Sequence, residues 1–276
     1  FINNAPDTIA RARYSAMMER SIGVGALGFH AYLQKHNVPF ESITAKIHNK
    51  NIFRHIRENL DVANLKLGLE RGEAPDATGT GRRFSNTSAI APNASSSIIM
   101  GNTSPSIEPF RANIYRQDTL SGSYTHKNQY LDAIIRKLCE TDESLDYDKI
   151  WSSIASAKGS CQHLDILDDH TKKVFKTAME IDQRWLVEHA ADRQEFIDQA
   201  QSLNLFFPPD VSIPYLHLVH FLAWKKQLKT LYYCRSEKIG EADKVSQQIV
   251  RNKIEEVDLS DVTSHNEEEV CQACEG

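Results

Sequence analysis

The amino-acid sequence predicts an α/β fold in which helices dominate and short, largely parallel strands lie between them. Apolar residues recur three and four positions apart over most of the chain, which is typical of amphipathic helices. Short apolar runs of strand length alternate with these helical stretches, as they do in proteins built on a mainly parallel sheet. The hydrophobic share of 41% and the charged share of 25% are both close to the averages for globular domains.

The first half of the chain is predicted to contain three helices and two strands. The longest helix extends over about 43–70, because Phe53, Ile56 and Leu60 follow one another at helical spacing. Gly23, Gly25 and Gly28 form a Gly-x-Gly-x-x-Gly string, which we interpret as close packing of a strand against a helix rather than a dinucleotide site. The other predicted elements are a helix at 8–19, a strand at 21–25, a helix at 26–36 and a strand at 87–91.

The second half is predicted to begin with a hairpin and to continue with helices and two further strands. The polar stretch 113–125 is interrupted by Ser121, Gly122 and Ser123, a composition typical of a turn. Proline cannot donate a hydrogen bond to a sheet, so Pro208 and Pro209 end the first of these strands. The predicted elements are helices at 129–140, 148–157, 165–181 and 182–191, a strand at 202–207, a helix ending near 226 and a strand at 229–234.

The stretch 236–276 has the composition of a flexible acidic tail. It contains eleven acidic and four basic residues, a net charge of -7, and no Phe, Tyr, Trp or Pro. So little apolar surface cannot offset the conformational entropy that ordering would cost. The sequence therefore predicts a folded part at 1–235 and a flexible tail at 236–276. The whole chain has a formal net charge of -5, so the folded part is close to neutral, which argues against a nucleic-acid surface.

Cys271 and Cys274 form a Cys-x-x-Cys pair near the end of this tail. We interpret them as a dithiol that carries reducing equivalents by disulfide exchange. One alternative is a zinc site that also uses His265, although structural zinc takes four ligands, and the other is an inert tail. The odd count of five cysteines favours reduced thiols and a cytoplasmic protein. No apolar run reaches the ~18 residues of a membrane span, and no secretory signal is visible.

A run of small and polar residues follows the predicted strand at 87–91 and leads into an apolar run that begins a helix. Its members are Pro92, Asn93, Ala94, Ser95 and Ser96. The N–H groups in the first turn of a helix have no internal partner and bind anions, and small side chains let an anion reach them. The run is therefore a candidate phosphate site. The alternative is a serine-capped helix start without a ligand.

Two adjacent tyrosines, Tyr232 and Tyr233, lie in the last predicted strand. Neighbouring side chains of a strand point to opposite faces, which predicts one ring in the core and one at the surface. The alternative is a redox pair, because a phenol can lose an electron and a proton together and a neighbouring phenol can pass the radical on.

These signals follow one another in a specific order. They are Pro-x-x-Ser-Ser at 92–96, Ser-Ile-Glu-Pro at 106–109, Leu-Lys-Thr-Leu-Tyr-Tyr at 228–233 and the terminal cysteine pair. In this order they resemble the C-terminal half of the large subunit of class I ribonucleotide reductase. The resemblance covers about 9–235 and resumes at the terminal cysteines.

The resemblance implies the C-terminal half of a ten-stranded α/β barrel with a flexible acidic tail. It also implies a part in reducing ribonucleoside diphosphates to deoxyribonucleoside diphosphates. The implied site residues are Pro92, Asn93, Ala94, Ser95 and Ser96 for the substrate diphosphate, Tyr232 and Tyr233 for relay of a radical to the catalytic thiol, and Cys271 and Cys274 for reduction of the active-site disulfide after each turnover.

The resemblance also implies partners. This chain would bind no cofactor or metal itself, the radical and its metal centre would belong to the small subunit, and thioredoxin or glutaredoxin would supply electrons. The Asn-x-Cys-x-Glu string of the family's radical-bearing cysteine does not occur in this sequence. We therefore expect the chain to be inactive alone and to require an N-terminal half. The alternatives are a non-catalytic assembly subunit of a reductase complex and a stand-alone dithiol carrier.

Overall fold

Helices predominate over short strands in the computed structural model, which describes residues 2–119 and 122–236. The α-helices are α1 (Ala10–Glu19), α2 (Phe29–Lys35), α3 (Ile43–Arg71), α4 (Ala94–Ile99), α5 (Gln129–Thr141), α6 (Tyr147–Ser156), α7 (Asp169–Val174), α8 (Gln183–Gln194) and α9 (Ile213–Lys225). The strands are β1 (Ile114–Thr119), β2 (Gly122–Lys127), β3 (Leu205–Phe207) and β4 (Cys234–Ser236), and short 3₁₀ helices cover Ile2–Asn4, Asp7–Ile9 and Pro75–Ala77. None of the helices formed by the described residues is both long and apolar enough to span a membrane.

Extended segments lie side by side in the order in which they occur along the chain. The parallel pairs are Val24 with Ser88, Ile90 with Gln201, and Leu205 with Cys234. These pairs connect the four strands that the sequence predicts at or next to 21–25, 87–91, 202–207 and 229–234. The α/β class with parallel strands is therefore confirmed. Closure into half of a ten-stranded barrel stays a prediction, as does the boundary between a folded part and a tail at 235.

The predicted hairpin at 113–125 is present as β1 and β2. The two strands are antiparallel, with Ile114 opposite Lys127 and Thr119 opposite Gly122. Asn128 closes the base of the hairpin, because its N–H donates to Asn113 C=O at 2.8 Å. The same residue caps α5, since its side chain accepts from the N–H groups of the helix's first turn.

The predicted helix at 165–181 is wrong in its length, because α7 ends at Val174. The backbone after α7 bonds to other parts of the chain instead of continuing the helix. The N–H of Ala178 donates to Phe110 C=O at 2.8 Å, and the N–H of Thr177 donates to Oε2 of Glu180 at 2.7 Å. In a longer helix these two N–H groups would donate to backbone carbonyls of the preceding turn, and here they donate to Phe110 and Glu180 instead.

Two apolar clusters hold the helices together. The first joins α2, α3 and β3 through side chains such as Leu33, Phe53 and Phe206, each at most 3% exposed. The second joins α5 and α6 to the segment before α7 around the buried Trp151. Ile90 belongs to the first cluster, so the segment that leads into the candidate phosphate loop is anchored in the core.

Gly25 lies at a close approach between the first two extended segments. A Cβ atom there would lie 2.7 Å from the backbone oxygen of Ala89, closer than real contacts allow. Only glycine fits this position without a shift of the neighbouring backbone. The glycine string therefore serves close packing, as expected, but the neighbour of Gly25 is a strand segment rather than a helix.

Asp198 joins α3 to two of the extended segments. Its Oδ2 accepts from Thr87 N–H at 2.7 Å and from Thr87 Oγ1 at 2.8 Å, while its Oδ1 accepts from the guanidinium of Arg57. Burial opposes ionisation of this carboxyl group, but the bonds from Thr87 and Arg57 outweigh it and lower the pKa of Asp198 to about 2.

We expect Asp198→Asn to lower the free energy of unfolding by about 2–3 kcal/mol at pH 7, because an amide cannot accept from all three donors. The depressed pKa gives a stabilisation that is complete above the unfolded-state pKa of about 4 and is lost as pH falls toward 2. Urea unfolding at several pH values measures both effects. The variant should therefore lose less stability than the native chain between pH 4 and 2.

Asp61→Asn is the matched control. Asp61 also accepts from Arg57, at 2.9 Å, but its side chain is 40% exposed. An exposed pair of this kind contributes about 1 kcal/mol or less. Equal losses in the two variants would contradict the role assigned to Asp198.

Candidate functional site

The candidate phosphate loop and the segment that carries the tyrosine pair border one cavity of about 420 Å³. Hairpin residues of β1 and the loop that follows α4 complete its wall. The lining residues on which its chemistry depends are Pro92, Ala94, Ser95, Glu108, Arg111, Asn204 and Arg235.

The loop turns sharply at Asn93, whose φ of 53° lies in the left-handed region, and α4 begins at the next residue. Ser97 donates its N–H to Asn93 C=O at 3.0 Å, closing the first turn of the helix. The N–H groups between these residues point away from the body of the helix. Ser95 is exposed and lines the cavity, so this end of the helix is open to a ligand. Ser96 is exposed as well, but neither it nor Asn93 is among the described residues that line the cavity.

Glu108 forms a buried part of the cavity wall. The residue is 3% exposed, and its Oε1 accepts a hydrogen bond from Nδ2 of Asn204 at 2.5 Å. Burial raises the pKa of Glu108 to about 7, against the opposing effects of Arg111, of the bond from Asn204 and of Arg235. The Ser-Ile-Glu-Pro string at 106–109 assigns no role to Glu108, because a single glutamate in a loop carries no signal of its burial.

Two guanidinium groups act on this carboxyl group. Burial, followed by the positive charge of Arg235, lowers the pKa of Arg111, while Glu108 opposes that shift. Guanidinium groups nevertheless stay protonated in proteins. Two positive groups beside one carboxyl group give this wall a net positive charge, which suits an anionic ligand.

Tyr232 and Tyr233 lie side by side rather than on opposite faces. Their ring centroids are 4.2 Å apart with an angle of 49° between the ring planes, and each residue is 43% exposed. The expectation of one core ring and one surface ring is therefore wrong. The guanidinium of Arg235 lies 5.1 Å from the centroid of the Tyr233 ring, within the range of a cation–π contact.

An offset of one residue in the backbone hydrogen bonds explains this geometry. The N–H of Tyr232 donates to Leu203 C=O, and the N–H of Leu205 donates to Tyr233 C=O, each at 2.9 Å. Two residues therefore oppose Asn204 alone, which is the pattern of a β-bulge. The extra N–H, that of Tyr233, donates to Oδ1 of Asn204 at 3.1 Å. Since the bulge interrupts the alternation of the strand, both rings can lie on one side.

The bulge and the cavity share residues. Asn204 and Arg235 both line the cavity, and both contact Tyr233. Neither Tyr232 nor Tyr233 is among the described residues that line the cavity, so the tyrosine pair is linked to it through Asn204 and Arg235.

Cys271 and Cys274 lie outside the described residues, so their role stays a prediction. Within the described ranges Cys139, Cys161 and Cys234 are free. Burial raises the pKa of Cys161 to about 12, which leaves a neutral thiol that is a poor nucleophile. In the same ranges no group of three or more His, Cys, Asp or Glu side chains is placed to hold a metal ion.

Comparison with known proteins gives consistent matches over most of the chain. Residues 1–80 and 74–234 match the family described as "Ribonucleotide reductase, barrel domain". The ribonucleoside-diphosphate reductase large subunit of Invertebrate iridescent virus 6 is 55% identical over 256 residues, which are 92% of this chain and 26% of that protein. The large subunit of Invertebrate iridescent virus 3 is 56% identical over 245 residues, 89% of this chain and 39% of that protein. The chain therefore spans well under half the length of these relatives.

A solved structure shares the fold. The structure of this chain is similar to that of the Actinobacillus ureae class Id ribonucleotide reductase alpha subunit, with a TM-score of 0.77 and 37% sequence identity. The match covers 86% of this chain and 43% of that chain. The matching sequences and the matching structure therefore point to the same family of proteins.

Proposed function

Since this chain belongs to the ribonucleotide reductase barrel-domain family, as a C-terminal piece of the large subunit, we propose that it takes part in reducing ribonucleoside diphosphates to deoxyribonucleoside diphosphates. It supplies the diphosphate site, a tyrosine pair for radical transfer and a tail dithiol. The chain covers only 26% and 39% of two relatives, and the radical-bearing cysteine string does not occur in it. An N-terminal half therefore provides the remaining barrel and the catalytic thiol.

The observation that carries this proposal is the contact between the two tyrosine rings, next to Asn204 and Arg235 of the cavity wall. With ring centroids 4.2 Å apart, a radical can pass from one phenol to the other in a single short step. In that step one phenolic O–H bond breaks and the other forms, so neither charge nor atoms accumulate. An isolated surface tyrosine would offer no such neighbour.

The diphosphate binds at the start of α4, where the N–H groups of the first turn point away from the helix. Ala94 and Ser95 bring small side chains to this end of the cavity, so a phosphate can approach the backbone closely. Arg111 and Arg235 add positive charge to the wall of the same cavity. Pro92, Asn93 and Ser96 complete the loop, and the turn at Asn93 directs the chain into α4.

The tail dithiol closes the proposed cycle. Each turnover converts one ribonucleoside diphosphate and one dithiol into one deoxyribonucleoside diphosphate, one disulfide and water. Cys271 and Cys274 reduce that disulfide by exchange, and a thioredoxin or glutaredoxin then reduces the tail pair. The radical is generated by a small subunit, which holds the metal centre.

Diphosphate reduction by this chain tests the proposal, first alone and then with an N-terminal half and a radical-generating small subunit. Dithiothreitol serves as reductant in one series and thioredoxin in the other. We expect no activity from the chain alone and activity from the full mixture. A silent mixture with disulfide exchange by the chain alone would favour the dithiol carrier. Activity that survives loss of both tyrosines would favour a non-catalytic assembly subunit.

We expect Cys271→Ser and Cys274→Ser each to lower the thioredoxin-driven rate by at least about tenfold, while the dithiothreitol-driven rate stays within about twofold. A small dithiol reaches the active-site disulfide directly, whereas thioredoxin requires an exchanging pair as intermediary. Steady-state rates with the two reductants measure this split. The control is Cys139→Ser, which removes a free thiol of α5 and should change neither rate. Equal losses with both reductants would show that the tail pair is not an intermediary.

A further inference from the structure

Asn204 holds the bulge that brings the two tyrosine rings together. Its Oδ1 accepts the extra N–H of Tyr233 at 3.1 Å, and the residue is 1% exposed. Without that acceptor the N–H of Tyr233 would have to bond to water, or the backbone would have to change its path, since an unpaired backbone N–H is costly to bury. Oδ1 of Asn204 therefore replaces the backbone carbonyl that would accept an N–H in a regular ladder.

Glu108 decides which way the amide of Asn204 points. An asparagine side chain has a donor and an acceptor of nearly equal size, so its orientation depends on its partners. The ionised carboxylate of Glu108 only accepts, and its Oε1 lies 2.5 Å from Nδ2 of Asn204. This contact directs Oδ1 toward Tyr233. The two residues are 96 positions apart, so the contact joins separate parts of the fold.

We propose that Glu108 is a positioning residue for radical transfer, which orients Asn204 and thereby keeps Tyr233 in the bulge beside Tyr232. The proposal rests on the proposed function of the tyrosine pair. Glu108 is not itself a radical carrier and needs no contact with either ring. Burial opposes ionisation of Glu108, while Arg111, the bond from Asn204 and Arg235 favour it.

Exchanging donor and acceptor between the two side chains provides the sharpest test. Asn204→Asp keeps an oxygen for Tyr233 N–H but places a second carboxylate against Glu108, so the contact becomes repulsive. Glu108→Gln combined with Asn204→Asp restores the hydrogen bond in the opposite direction and leaves the net charge unchanged. Glu108→Gln alone keeps the size and shape of the side chain but removes both its negative charge beside Arg111 and Arg235 and its preference for one amide orientation.

Two measurements are made on each variant. Labelling with ¹⁵N-tyrosine gives at most nine backbone signals, from which the hydrogen exchange of the Tyr233 amide can be followed in the full chain. Diphosphate reduction is measured in the mixture with the N-terminal half and the small subunit, at pH 8, where Glu108 is mostly ionised because its pKa is about 7.

We expect Asn204→Asp to speed exchange of the Tyr233 amide by about tenfold and to slow reduction by about tenfold or more. Glu108→Gln alone should give about a threefold effect, and the double variant should recover to within about threefold of the native chain. The matched control is Thr230→Val, which removes a hydrogen bond from the same segment to Gln201 C=O at 3.0 Å without touching the bulge. It should change neither quantity by more than about twofold.

The outcomes separate the inference from the proposed function. No activity with the native chain overturns the proposed function, and the radical-transfer role of Glu108 with it, whatever the exchange data show. An active native mixture whose Asn204→Asp variant keeps native exchange, or keeps a native rate despite faster exchange, overturns the inference alone. A double variant no better than Asn204→Asp also overturns it. Recovery of both quantities in the double variant supports it, because it ties the exchange of the Tyr233 amide and the rate to the contact between positions 108 and 204.

Discussion

Tyr232→Phe and Tyr233→Phe are each expected to lower the rate of diphosphate reduction about a thousandfold or more in the mixture with an N-terminal half and a small subunit. Phenylalanine has no phenolic proton to lose, so its ring cannot take up and pass on a neutral radical. Each substitution therefore removes one of the two phenols of the proposed relay. Single-turnover assays of deoxyribonucleoside diphosphate formation provide the measurement.

The same substitutions should leave the fold almost unchanged. Each tyrosine residue is 43% exposed, and the contact between the rings at 4.2 Å involves ring atoms that phenylalanine retains. We expect a change of about 0.5 kcal/mol or less in the free energy of unfolding. Substrate binding should also persist, because the phosphate loop is not altered. Loss of turnover with retained binding and stability would therefore point to the phenol itself.

Tyr14→Phe is the control for this experiment. Tyr14 is a tyrosine of α1 that is 68% exposed, and it does not belong to the cavity wall. Its replacement should leave the rate within about twofold of the native value. If Tyr233→Phe retained a tenth of the native rate or more, the tyrosine pair could not be the obligatory route for the radical.

The geometry of this pair marks the limit of what the sequence could predict. Alternation along a strand placed the two rings on opposite faces, and it would have been right for a regular ladder. The bulge depends on Asn204 and, through it, on Glu108, which lies 96 positions away in the chain. No local pattern encodes such a contact. The order of motifs was nevertheless sufficient to identify the family without this geometry.

The approximate strand positions could be predicted because short apolar runs bounded by polar residues are a local signal. The bounds were less accurate, since the strand predicted at 229–234 overlaps β4 only at Cys234. Parallel pairs join the segments containing Val24, Ser88, Gln201 and Cys234, at or next to the expected ranges. The end of α7 was predicted badly, because it is set by the bond from Ala178 N–H to Phe110 C=O between distant segments. The candidate loop at 92–96 was predicted from its small residues, while the charged residues of the same cavity wall, Glu108, Arg111 and Arg235, were missed because they are dispersed along the chain.

Ser95→Asp is expected to weaken binding of a nucleoside diphosphate about a hundredfold, equivalent to about 3 kcal/mol. A carboxylate at this position neutralises the positive end of α4 and repels the diphosphate across the cavity that Ser95 lines. An acidic residue in the first turn of a helix is favourable for the helix itself, so the loop should keep its fold. Calorimetric titration of the mixture with a ribonucleoside diphosphate gives the affinity, and KM should rise in parallel.

The matched control is Thr44→Asp, which places the same charge in the first turn of α3, at an exposed position away from the cavity. It should leave the affinity within about twofold of the native value. Native affinity in Ser95→Asp would contradict a phosphate site at the start of α4.

Ser96→Asp shows which of the two serines of the loop lies nearer to the bound diphosphate. Both are exposed in the first turn of α4, so a long-range effect of charge on the helix end would weaken binding to the same degree in both variants. Of these two serines, Ser95 lines the cavity and Ser96 does not, so direct repulsion of the diphosphate predicts a smaller loss for Ser96→Asp, about tenfold rather than a hundredfold. A larger loss at Ser96 would mean that the diphosphate approaches α4 from the other side of the loop, away from Arg111 and Arg235.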